Sequence, residues 1–429
     1  MATNLTVSPV VKPWSLLDRL KTGLVVLIVA DVIFLIVLLR AHGEYAGILK
    51  TITVDSEPSV IAAQQIKVEM AAMDADAANE LLAKPGQATA ALADYEKHRK
   101  EAAKALIAAA NNITYPGERE PIESIQTNLG DYEARIQHAL DLHEEGDKRA
   151  VIVYRQASDL MNAHLYLAAD RLADVNRAEL DKAFDLYTNG AAQTRAEVFA
   201  AGALLLGLLL FAQWDLVRRT RRLLNPGLLC ASILTIALLS YCSTHLSKSA
   251  SDLRVAKQDA FDSIHALWQA RADAFAANAD ESKYLLPDNM QAAYEKSFFA
   301  RADSTRDFLK KEMNNITFDK ERDAADDASK DWEQYLKIDK KIRTLNTSGH
   351  AEDALALCLG TNYGQSDYEF EYFDKALMST ISVNQVEFDK ARDSSKAQLQ
   401  NLPEVASVGT AATAVFLVFG LLLRIREFL

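Results

Sequence analysis

Chain breakers are scarce in this sequence. Its 429 residues include nine prolines and 16 glycines, far too few for an all-β chain that turns every ten residues or so. Cysteine is rarer still. Cys230 and Cys242 sit in an apolar run, Cys358 is alone in its region, and no Cys-x-x-Cys pair exists, so neither a disulfide framework nor a thiolate zinc site is suggested. The eight histidines are scattered and form no His-Glu-x-x-His. Gly-x-Ser-x-Gly, a phosphate-cradling Gly-Lys loop and Gly-x-Gly-x-x-Gly are all missing. Carboxylates are plentiful, but carboxylates on helices without a pocket do not make acid–base chemistry. The sequence therefore reads as a non-enzyme without a cofactor. What is abundant, Ala with Leu, Glu and Lys, favours long helices, and the expected fold class is all-α.

A mean hydropathy near zero conceals two populations. Residues 23–39 are apolar except for Asp31, 198–212 are wholly apolar, 228–242 follow Asn225-Pro226-Gly227, and 405–423 carry no charge. With its flanks each run approaches the roughly 20 residues a helix needs to cross a bilayer. Lys12, Arg19 and Lys21 precede the first run, Arg218, Arg219, Arg221 and Arg222 lie between the second and third, and Arg424 and Arg426 follow the fourth. Basic residues mark the cytoplasmic side, so both termini are expected to be cytoplasmic and the two long segments extracytoplasmic. The expected division is a tail at 1–21, spans at 22–40, 196–214, 223–245 and 403–423, a loop at 215–222, outer segments at 41–195 and 246–402, and a tail at 424–429. The first span is too long for a signal peptide and lacks a small-x-small cleavage site after it, so an uncleaved anchor in a bacterial inner membrane is expected. The outer segments are acidic, with 25 acids against 16 bases in 41–195 and 28 against 21 in 246–402. Such surfaces offer no broad basic face to neutralise phosphates, which argues against a nucleic-acid partner.

The halves repeat. Asn111-Asn112-Ile113-Thr114 recurs as Asn314-Asn315-Ile316-Thr317, and Val175-Asn176-Arg177-Ala178-Glu179-Leu180-Asp181-Lys182-Ala183 recurs as Val383-Asn384-Gln385-Val386-Glu387-Phe388-Asp389-Lys390-Ala391. Tyr95-Glu96-Lys97 matches Tyr294-Glu295-Lys296, and Ala75-Asp76 with Leu81-Leu82 matches Ala279-Asp280 with Leu285-Leu286. Ordered matches at a nearly constant offset indicate internal duplication. Each copy reads as span, four helices, span. Breaks are expected at Pro85-Gly86, Tyr115-Pro116-Gly117 and Glu145-Gly146 in the first copy. In the second they fall at Pro287-Asp288-Asn289, Asn314 to Thr317, Asn346 to Gly349 and Gly360 to Gly364, with a kink at Pro403. Apolar residues such as Ile61, Ile66 and Met73, or Leu129, Ile136 and Leu140, recur near helical spacing. Four antiparallel helices with short connections then give an up-down-up-down bundle, used twice in tandem.

A helical bundle of this length bracketed by two spans resembles the sensor domain of methyl-accepting chemotaxis receptors, in architecture and over each half of the chain. The resemblance implies a sensing role and side-by-side pairing of bundles, supplied here within one chain or by a homo-oligomer. In that family a long cytoplasmic signalling hairpin follows the second span. In this sequence only residues 214–225 follow the second span and 424–429 the fourth, so the output is expected to come from a separate partner.

Candidate residues follow from position. Asp76 and Asp280 recur on the first helix of each copy, and Arg271, Asn278 and Glu281 lie near Asp280, a grouping suited to a cationic or amino-acid ligand. The competing reading is a solvated acidic face. Asp31 is costly inside a span and is expected to pair with a partner subunit or with the chain's own helices, the competing reading being a tolerated, protonated residue. Asn176, Asp181 and Lys182, with Asn384, Asp389 and Lys390, belong to the repeated element ahead of each exit span. They read as a relay or interface segment, or simply as a helix stabilised by Glu179 and Lys182 three residues apart. Asn-Asn-Ile-Thr is a glycosylation sequon or a helix end. Tyr363, Tyr368, Phe370, Tyr372 and Phe373 form a binding lip or pack a distorted helix. The expected function is a chemoreceptor-like membrane sensor or signalling accessory working on a small-molecule or protein ligand. The alternative is a structural or assembly subunit of an envelope complex.

Overall fold

The computed structural model describes residues 16–85, 90–220 and 224–427. Lys12, Gly86, Arg221 and Arg222, used above for topology and helix ends, lie outside the described residues. Helix is the only regular structure among the described residues. The elements are α1 (Leu16–Lys50), α2 (Glu57–Leu82), α3 (Ala90–Asn111), α4 (Arg119–Glu144), α5 (Arg149–Leu160), α6 (Tyr166–Thr220), α7 (Pro226–Arg254), α8 (Asp262–Leu285), α9 (Gln291–Asn315), α10 (Glu321–Thr347), α11 (Ala351–Cys358), α12 (Ser366–Gln400) and α13 (Leu402–Glu427). Short π-helical segments, Thr51–Ser56, Met161–Leu165 and Val255–Phe261, join α1 to α2, α5 to α6 and α7 to α8. Four helical runs, Leu17–Leu82, Arg149–Arg219, Pro226–Leu285 and Ser366–Arg426, are long and apolar enough to cross a membrane. Near Pro403, which has no N–H to give, the last run is interrupted at Asn401.

The chain divides into two compact units. The span unit comprises Met1–Gly47, Leu186–Ser251 and Ser394–Leu429. Within it Tyr45 meets Tyr187 edge to face at 5.6 Å, and Thr194 Oγ1 donates to Glu44 Oε2 at 2.8 Å, tying α1 to α6. Asn225 does two jobs at the start of α7. Its Oδ1 accepts from Gly227 N at 3.0 Å and Leu228 N at 3.3 Å, and its Nδ2 donates to Gly420 O on α13 at 2.9 Å. A Cβ on Gly227 would lie 2.5 Å from Gly420 Cα, so these two backbones touch, the close approach that small residues permit between apolar helices. Large apolar side chains including Val25, Leu204, Phe211, Ile233 and Phe419 are exposed, as lipid-facing positions are.

The second unit, the body, comprises Ile48–Asp185 and Asp252–Asp393, so the two long polar segments share one interior. α2 and α8 run against each other at its centre, α2 flanked also by α3 and α8 by α9. Both are buried around most of their circumference. Alanines on more than one side, Ala63, Ala71, Ala72 and Ala78 on α2 and Ala266, Ala270, Ala272 and Ala276 on α8, let neighbouring backbones close in to interior packing density. Ala276 and Leu286 of the second segment join the apolar cluster built from Ile66, Met70, Met73, Ile125 and Leu165 of the first. Aromatic packing fills the other half, where Trp332 lies 5.2 Å from Tyr335 and 4.8 Å from Phe373, centroid to centroid.

The repeated Asn-Asn-Ile-Thr segments are helix ends with one shared design. Asn112 Nδ2 donates to Asp55 O and Ser59 Oγ, at 3.0 and 2.7 Å, and Asn315 Nδ2 to Asp259 O and Ser263 Oγ, at 3.3 and 2.9 Å. Glu118 Oε2 then accepts from the Thr114 and Tyr115 N–H groups, as Glu321 Oε2 does from those of Thr317 and Phe318. The turns differ at one place. Gly117 has φ +104°, and its positional counterpart Lys320 has φ +68°, a left-handed conformation that glycine accepts freely and lysine does not.

Candidate functional site

Three polar groupings lie inside the body. The first joins the two segments. Lys283 Nζ is 2.6 Å from Asp74 Oδ2 and 3.3 Å from Asp280 Oδ1. Arg301 Nε is 3.1 Å from Asp280 Oδ2, and its Nη2 donates to Asn162 Oδ1 at 2.8 Å. Asp74 also accepts from the hydroxyls of Tyr132, Tyr154 and Ser158 at 3.4, 3.3 and 3.1 Å. Burial works against the Lys283 ammonium, but Asp74 and Asp280 outweigh it and hold its pKa above the ordinary lysine value. Beside this group Ser282 Oγ donates to Asn79 Oδ1 at 2.5 Å.

The second grouping belongs to the later segment alone. Glu281 accepts from Ser366 Oγ at 2.5 Å, and Cys358 Sγ lies 3.7 Å away. Burial, with Asp339 nearby, pushes the Glu281 pKa well above the carboxylate range. Arg343 donates to Asp339 at 2.9 Å and stacks over Tyr284 and Phe298 at 4.4 and 4.5 Å. Asn278 Nδ2 donates to Tyr335 Oη at 3.5 Å. Arg271 forms a fork with Asp374, 2.6 and 2.9 Å, between the rings of Trp268 and Phe275.

These contacts distribute the sequence candidates. Asp280, Asn278, Glu281 and Arg271 are buried on α8, each with a partner from another helix, and not on a solvated face. Asp76 is partly exposed, but its Oδ2 is enclosed without a hydrogen-bond partner. Burial, then Asp94 and Asp367, raise its pKa well above the usual carboxylate value. Asp31 is 3 % exposed within the span unit, and its Oδ1 has no hydrogen-bond partner. Tyr363 and Tyr372 are exposed and flank Tyr368, whereas Phe370 and Phe373 are buried, so the aromatic group splits into a surface ladder and a core. Sequence reasoning missed Asp74, Lys283, Arg301 and Arg343. The signal for the first two was alanine on more than one side of α2 and α8, which marks even their polar positions as interior.

The third grouping is a seam where the repeated element of each segment meets the other segment. Asp181 Oδ1 pairs with Lys257 Nζ at 2.9 Å, and Lys257 also reaches Asp262 at 2.9 Å. Gln385 Nε2 donates to Glu57 Oε1 at 3.3 Å, and burial lifts the Glu57 pKa to about 7. Asn176 and Asn384 are buried. Asn176 bonds Leu172 O on its own helix, whereas Asn384 also donates to Glu312 Oε1 at 3.1 Å. Lys182, Asp389 and Lys390 make short-range pairs with Glu179, Arg392 and Glu387. Among the described residues no group of three or more His, Cys, Asp or Glu is arranged to hold a metal ion.

Residues 48–185 match the family model of an actinobacterial sensor domain. The matched stretch coincides with the first segment of the body. No curated protein and no solved structure matches the chain.

Proposed function

We propose that this chain is a non-enzymatic membrane sensor or signalling accessory. Its duplicated helical segments face the extracytoplasmic side and bind a small molecule or protein, and the four apolar helices pass the resulting shift to a separate output protein. The observation that carries the reading is the sensor-domain match over 48–185. Continuity supports the route, since α6 is one helix from Tyr166 to Thr220 that begins among body residues and ends in an apolar stretch. The matching Asn-Asn-Ile-Thr turns support duplication of the receptor-like bundle, with the two segments related by an approximate two-fold axis. The arginines at 218 and 219, 424 and 426 support cytoplasmic termini.

Affinity purification of the full chain from detergent-solubilised native membranes, with cross-linking in cells beforehand, tests this. A receptor, kinase or other signalling protein is expected as the partner. A stoichiometric envelope complex without a signalling component, together with no change in any cellular response on deletion, overturns the reading in favour of an assembly subunit.

A further inference from the structure

Two of the sequence elements that recur in the chain converge on one cavity. It measures about 330 Å³ and opens at the seam of the body. The first segment contributes Arg177 and Asp181, from the element 175–183. The second contributes Lys257 on the π-helical segment and Lys311, Glu312 and Asn314 at the end of α9.

The charges are unequally committed. Lys257 is only 9 % exposed and is held by two carboxylates, Asp181 and Asp262. Arg177 reaches Asp181 only at 3.6 Å. Lys311 is exposed and has no ion-pair partner among the described residues. Glu312 offsets these cations only in part near neutral pH, because burial, with Glu321 close by, raises its pKa to about 7. His265 lies on the same stretch of α8 as Asp262 and Ala266. Burial first, then the charges of Arg177 and Lys311, and more weakly Lys257, push its pKa down to about 3, with Asp181 the opposing charge. Both His265 ring nitrogens are buried without a hydrogen-bond partner. The counterpart seam differs. There Gln385 and Asp389 face Glu57, and position 53, in register with Lys257, is Thr53.

We propose that the cavity bounded by Arg177, Lys257, Lys311 and Asn314 binds one small oxyanion-bearing ligand, a carboxylate or a phosphate, between the two segments. Arg177 and Lys311 supply the charge and the Asn314 amide a directed donor. The volume suits a ligand of metabolite size. Because the cations come from both segments, a bound anion clamps the repeated element of the first against α9 of the second. This consequence rests on the sensor reading, but binding itself does not.

The test is calorimetric titration of the purified full chain in detergent at low ionic strength, with inorganic phosphate, succinate, citrate and L-aspartate as separate probes. One site per chain is expected for at least one probe, and the phosphate and carboxylate arms assign the ligand class. Lys311→Glu and Arg177→Gln should each weaken binding at least tenfold with the melting temperature unchanged, whereas Lys330→Gln, at an exposed position of α10, should not. Absence of saturable binding by any probe, or affinities of both seam variants within twofold of wild type, overturns the site. A failed titration leaves the partner experiment to decide the sensor reading. A saturable site in a chain that co-purifies only with an envelope scaffold keeps the site and removes the sensor.

Discussion

Lys283 is only 3 % exposed, and it keeps its charge there because Asp74 and Asp280 lie within 2.6 and 3.3 Å. Removing one member of such a group strands the others, which typically costs about 3–5 kcal/mol, whereas replacing a charged pair together costs far less. Lys283→Met is therefore expected to destabilise the body by about that amount, and Asp74→Asn combined with Lys283→Met to recover most of it, because Asp280 retains Arg301. Chemical denaturation of the three proteins checks this, and a double variant no better than the single one removes the ion pair from the explanation. Glu57 presents the opposite case, a carboxyl whose only described hydrogen bond comes from Gln385 and whose pKa burial raises from 4.5 to about 7. A raised folded-state value means that its stabilising contribution is complete below pH 4.5 and is lost as the pH climbs through about 7. Glu57→Gln keeps the acceptor and cannot ionise. The variant should match wild type near pH 4.5 and exceed it by about 3 kcal/mol at pH 8. Parallel stability curves for the two proteins across that range would rule out the buried carboxyl.

Turns and helix crossings set the next scale. Lys320 pays a conformational cost that Gly117 avoids at the matching turn, and it is exposed with its own carbonyl bonded to Ala324 N. Lys320→Gly should raise stability by about 1 kcal/mol. Gly117→Ala should lower it by a similar amount through strain, since its added Cβ would meet only Val175, at an ordinary 3.6 Å. Thermal melts of both variants give the signs. In the span unit Gly227→Val should separate α7 from α13, because even the first added carbon meets Gly420 Cα at 2.5 Å. A sharp fall in detergent thermostability is the expected readout. Much at this scale was legible beforehand. The Asn-Asn-Ile-Thr pairs marked helix ends, and Pro287, Gly349 and Gly364 marked breaks, because these residues act through their own backbone angles or local bonds. The π-helical segments were not legible. They differ from α-helix by one residue per turn of hydrogen bonding and carry no compositional mark. Nor did the placement of Asp280 and Glu281 follow from residue type, since the rule that aspartate and glutamate sit outside holds only until partners such as Arg301 and Ser366 are brought to them.

At the scale of the whole molecule the four apolar runs were readable because bilayer-length hydrophobicity is a property of consecutive residues. The sharing of one interior by the two polar segments was not. It depends on contacts such as Asp74 with Lys283 and Asn79 with Ser282, which lie some two hundred residues apart and leave no periodic trace. The last of these contacts supplies the decisive experiment. Asn79 and Ser282 are short side chains, one from each segment, whose oxygens stand 2.5 Å apart, so a cysteine pair placed at these two positions tests whether both segments belong to one chain. With Cys230, Cys242 and Cys358 replaced by alanine, Asn79→Cys with Ser282→Cys should cross-link under mild oxidation into a faster-migrating monomer that reduction reverses. A cross-link formed only between chains would mean that the first segment of one molecule completes the body of another. The body would then be assembled by exchange of identical segments in a homodimer, and the seam cavity, with Arg177 from one chain and Lys311 from the other, would bind its anion only in the dimer.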